Sequence, residues 1–87
     1  MEEVRTHERL WVFDGRVLEV FNFPGRPTAR FHVALMGLEV SGPDRKGRVK
    51  IELRYFREKE AGLHDSVKSD DFVRLKPLLD RVRQAVR

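Results

Sequence analysis

Cysteine is absent from this 87-residue chain. That excludes a disulfide framework and any thiolate chemistry at zinc, at an iron–sulfur cluster or at a nucleophile, and it fits a reducing compartment. Long apolar runs are missing too. The longest, such as residues 33–36, have four residues, against the ~20 needed to cross a bilayer. The opening MEEVRTHERL is acidic and then mixed in charge. A secretory leader needs a basic start and an apolar stretch, so the chain is expected to be cytoplasmic and unprocessed. Ile, Asn and Gln occur once each, and Arg outnumbers Lys 13 to 5, a bias typical of a GC-rich bacterial genome.

The site constellations of common enzymes are missing as well. His7, His32 and His64 fall on three separate elements with no carboxylate or second His at ligand spacing, so no metal or other cofactor is expected. The glycines at 25, 37, 42 and 47 build turns and bends rather than a phosphate-cradling loop. His64-Asp65-Ser66 spells a catalytic triad, but neighbours on a strand point to opposite faces, so no proton relay can form. No enzyme activity is expected.

What is present is one small domain. At this size about 60 to 65 % of the unfolded surface is buried, and nearly every large apolar residue must serve the core. Residues 1–8 lack a sustained period and read as a flexible N-terminal arm, leaving 9–87 as the domain. RLWVF at 9–13 runs into Asp14-Gly15, which suits a two-residue type I′ hairpin turn onto a strand at 16–23. Pro24-Gly25 suits a type II turn, and Arg26 then sits at an exposed tip. Residues 29–36 alternate as a strand, Gly37 allows a bend, and 38–40 form a short strand. The turn formers SGPDRKG at 41–47 lead into the cleanest strand, 48–56, with Val49, Ile51, Leu53 and Tyr55 inward and Arg48, Lys50, Glu52 and Arg54 outward. After a charged loop at 57–62, residues 63–68 form an edge strand. Phe72, Leu75, Leu79, Val82 and Val86 are spaced 3, 4, 3, 4, and this stripe predicts a helix from about 70 to 86, bent near Pro77 and started by Ser69, Asp70 and Asp71, the alternative being a shorter helix that starts at Lys76 with Pro77 as its first residue. Leu75, Leu79, Val82 and Val86 are expected against Val49, Ile51 and Leu53. The predicted fold is α+β: a strongly bent antiparallel sheet or partial barrel of five to six strands with one C-terminal amphipathic helix.

That order carries a resemblance. TARFHVALMGLEVSGPDRKGRVKIELRYF, a polar loop, and SDDFVRLKPLLDRVRQAV resemble the second half of a bacterial pleckstrin-homology-like domain, and the hairpin at 9–23 is similar to the opening of such domains. The resemblance spans roughly residues 8–87 and rests on pattern and order. It implies a scaffold of seven strands and a helix that presents loops and sheet edges to partners, and in phosphoinositide-binding members a basic cluster in a loop and strand start grips phosphates.

Charge is uneven. Residues 1–43 hold 5 basic and 6 acidic groups, and residues 44–87 hold 13 and 8. The densest basic cluster is Arg45, Lys46, Arg48 and Lys50, the candidate site for an anionic partner, either a phospholipid headgroup or a nucleic acid. Solvation alone also explains such a face. Trp11, Met36 and Phe56 are the candidate apolar contacts for a protein partner or a second copy. The expected function is a non-catalytic interaction module that binds protein or itself, with anion binding as the alternative.

Overall fold

The computed structural model describes residues 1–7, 9–22, 26–55 and 62–86. Among these residues seven strands and one helix follow in order: β1 (Glu2–Arg5), β2 (Arg9–Phe13), β3 (Val17–Asn22), β4 (Arg26–His32), a 3-10 turn (Val33–Leu35), β5 (Met36–Ser41), β6 (Arg48–Tyr55), β7 (Gly62–Lys68) and α1 (Ser69–Ala85). The fold is α+β, as expected. The strands form two antiparallel meanders, β1-β2-β3-β4 and β5-β6-β7, and no closed barrel forms among the described residues.

The strand count exceeds the expected five to six because residues 2–5 are no arm. β1 pairs along its length with β2, Val4 opposite Trp11, and α1 runs against it. The chain turns back through Thr6, whose amide donates to the Arg9 carbonyl at 2.9 Å. The Thr6 hydroxyl accepts the indole N–H of Trp11 at 3.1 Å inside the protein. Trp11 and Met36, expected as surface contacts, are both 0 % exposed. A chain this small cannot spare its largest apolar side chains for the surface. Phe56, the third of that set, lies outside the described residues, as do Phe23, the Pro24-Gly25 turn and the loop at 56–61.

The first hairpin forms one residue later than its sequence suggests. Phe13 pairs with Leu18, so the two-residue loop is Gly15-Arg16 and not Asp14-Gly15. A type I′ turn would need positive φ at both central residues, yet only Gly15 has it, at +101°. Asp14 instead accepts the amides of Arg16 and Val17 at 2.8 Å each through one carboxylate oxygen. Those bonds, Val17 first, lower its pKa. The shift matters for packing. It aligns Leu18 and Val20 with Phe13 and Trp11 on the core face.

Passage between the sheets occurs at residues 33–35, ahead of the expected bend at Gly37, which lies inside β5. The His32 ring accepts the Ala34 amide through Nδ1 at 3.1 Å, and the Val33 amide reaches the Arg16 carbonyl at 2.9 Å. Together they curl the chain before Gly37 is reached. Arg26 is the first residue of β4, paired with Asn22.

α1 is one helix with Pro77 inside it. An interior proline costs about 3 kcal/mol. Fully burying a Leu or Val contributes ~1.5 to 3 kcal/mol, so two of the buried residues Leu75, Leu78, Leu79 and Val82 offset it. Leu78, at the margin of the predicted stripe, is buried, and Val86 beyond the helix is half-buried. These side chains share one core with Val49, Ile51 and Leu53, as expected, and with Trp11, Leu18 and Phe31. Tyr55 closes the core by stacking on Phe31, ring centres 4.7 Å apart.

Candidate functional site: the basic end of the second sheet

The β5–β6 hairpin is organised by Asp44. Its carboxylate oxygen accepts the amides of Lys46 at 2.9 Å and Arg48 at 3.0 Å. Its own amide donates to the Arg48 carbonyl at 2.9 Å. The Arg48 amide is the main reason the Asp44 carboxyl titrates below its usual range, opposed in part by desolvation and helped by the amide and charge of Lys46 and the charge of Lys50. The loop is then tied to the helix, for the Gly47 carbonyl accepts the Ser69 amide at 3.0 Å and the Ser69 hydroxyl. Ser69, expected to cap α1, latches the hairpin instead, and no side chain caps the helix start.

From this anchored turn, β6 alternates strictly. Val49, Ile51 and Leu53 enter the core, and Arg48, Lys50, Glu52 and Arg54 line the outer face. The register groups that face into rows across the sheet: Arg48 beside Lys68; Lys50 between Ser41 and Ser66; Glu52 between Glu39 and His64; Arg54 between Gly37 and Gly62. The rows sort by charge. Arg54 forks onto Glu52 through Nε at 2.7 Å and Nη2 at 2.6 Å and lies 3.8 Å from Glu39, and these carboxylates hold its guanidinium more firmly charged. His64 Nε2 is 3.8 Å from Glu52. That half satisfies its own charges.

The other half does not. Arg45, Lys46, Arg48, Lys50 and Lys68 are exposed, and none makes a salt bridge among the described residues. Arg48 and Lys68 stand directly opposite, an arrangement that destabilises a sheet by a fraction of a kcal/mol, about 0.2 to 1. A cleft of ≈ 620 Å³ beside the Lys50 and Glu52 rows is of mixed charge, lined by Lys50, His64 and, from the helix, Arg83, together with Glu39, Glu52 and Asp65. A hollow of ≈ 210 Å³ beside it is lined by Thr6, Arg48, Asp65, Ser66, Lys68 and Asp71.

All four basic residues singled out in the sequence therefore gather at one end of the sheet. Lys68, Ser41 and Ser66 join them through strand register, which the sequence does not display; the only signal was the polar phase of HDSVK. The triad letters divide as strand geometry requires. His64 and Ser66 face outward, while Asp65 faces the first sheet and pairs with Arg9 at 3.4 Å. No group of three or more His, Asp or Glu among the described residues could hold a metal ion. No helix among the described residues is long and apolar enough to cross a membrane. Neither a family model, nor a curated protein, nor a solved structure matches this chain.

Proposed function

We propose that this protein is a non-catalytic interaction module, of pleckstrin-homology-like architecture and cytoplasmic, whose working surface is the basic end of its second sheet and whose partner is anionic. One observation carries the reading. Arg48 and Lys68 oppose each other in register and neither makes a salt bridge among the described residues, beside Lys50, Lys46 and Arg45, while the Glu52 and Arg54 rows of the same face pair their charges internally. A sheet face shaped only for solubility gains by interleaving signs; concentrating one sign costs stability that an anionic ligand restores. Seven strands divided four and three ahead of a C-terminal helix support the architectural part, which rests on fold analogy. Docking through Trp11 and Met36 loses its support, since both are core residues.

The test is an NMR titration with inositol hexakisphosphate at 50 and 200 mM salt, paired with protein dilution. Salt-sensitive shifts at residues 45–50 and 66–68 are expected. Shifts that ignore this surface, or that track dilution alone, contradict the reading and restore self-association.

A further inference from the structure

Resting on the anion-binding reading, we propose that the occupant is the phosphodiester backbone of a nucleic-acid duplex, gripped without regard to sequence. The cations form a row rather than a cage. Lys46 lies at the turn and Arg48 and Lys50 follow on the outward phase of β6, with Lys68 alongside. Outward positions on a strand recur about every 6.7 Å, so the cations form an extended row that a phosphodiester backbone, itself a repeating line of charge, can lie along. Ser41 and Ser66 flank Lys50 and place hydroxyl donors between the charges. Such donors and cations fix a backbone in position but read no bases.

Other anions fit this surface less well. A single phosphate needs cations that converge, and the hollow lined by Arg48 and Lys68 also holds the Asp65 and Asp71 carboxylates. A lipid surface favours an apolar tip that inserts below the headgroups, and apart from Pro43 the loop at 41–47 carries none. Single strands are held by stacking on exposed aromatic rings. Trp11 is buried, Tyr55 is stacked on Phe31, and no Phe, Tyr or Trp stands on the outward phase of the described strands β5, β6 and β7. A duplex requires no stacking. The Glu39–Glu52–Arg54 cluster bounds the footprint on its far side, leaving contact with about three or four phosphates.

Fluorescence anisotropy with a labelled 16-base-pair duplex decides it, run beside the single-stranded 16-mer, phosphatidylserine vesicles and inositol hexakisphosphate. Contact with three or four phosphates implies that duplex affinity falls ~40- to 150-fold between 50 and 200 mM salt. A scrambled duplex should bind within about two-fold. Replacing both Arg48→Gln and Lys68→Gln should lower the salt slope by about 2, with the fold checked by circular dichroism. Binding of vesicles or the inositol phosphate without the duplex overturns this inference and leaves the anion-binding surface standing. Tighter binding of the single strand also overturns it. If no anion binds, both readings fall.

Discussion

Thr6 does more than its size suggests. Its hydroxyl is the hydrogen-bond partner of the buried Trp11 indole, and Thr6 is itself buried. Thr6→Val preserves the shape but leaves an indole N–H unsatisfied in the core, so urea unfolding should show a loss of about 1 to 3 kcal/mol. Gly42 is constrained in a different way. Its φ is +116°, and a Cβ there would lie 2.9 Å from the Arg48 carbonyl oxygen, whereas Gly15, with φ +101°, has open space around it. Gly15→Ala therefore meets conformational strain alone, about 1 to 2 kcal/mol. Gly42→Ala adds a backbone collision and should cost more in the same assay; equal costs would mean that the hairpin yields. Asp14 and Asp44 have lowered pKa values through amide bonds from Val17 and Arg48. A depressed carboxyl stabilises the fold above its unfolded pKa, near 3.8, and that contribution disappears as pH falls through the folded value. Thermal melts should be insensitive to both groups from pH 7 to 5 and decline below about pH 4, and Asp44→Asn should flatten part of the decline.

At the scale of elements, strand periodicity was readable where one face is buried and the other solvated. β6, with Val49, Ile51 and Leu53 alternating against four polar residues, was plain from sequence, and so was the Leu75–Leu79–Val82 stripe of α1. β1 was not. Its residues Glu-Glu-Val-Arg contain one apolar side chain, and the strand exists because β2 offers an edge and α1 covers it. Tertiary contact there overrides local preference. The corner at 33–35 escaped for a related reason, since VALM continues an apolar pattern and only the His32 ring and the Arg16 carbonyl reveal the break. Deleting residues 1–5 separates the two descriptions of the N-terminus. A frayed arm would cost under ~0.5 kcal/mol, like other surface changes. A strand under the helix should cost several times that, or cooperative folding altogether. Leu79→Ala should destabilise by about 2 to 5 kcal/mol, and Leu78→Ala by a similar amount because both are buried.

For the whole molecule, the charge imbalance between the halves of the chain foretold a basic region but not its shape. Arg45, Lys46, Arg48 and Lys50 were visible as a cluster; that Lys68 completes it depends on the β6–β7 register, which is set by core packing some distance away. Lys68 is therefore where stability and binding should part company. Lys68→Glu sets a carboxylate opposite Arg48 and adds negative charge at the start of α1, both favourable to folding by a few tenths of a kcal/mol up to about 1. The same change removes a cation from the proposed surface and introduces repulsion toward an anionic ligand. The decisive measurement is the unfolding free energy and the duplex affinity of Lys68→Glu, determined together at 50 mM salt. Stability should rise or hold while affinity falls at least ten-fold; unchanged affinity in a folded variant would contradict the assignment of this end of the sheet as the working surface.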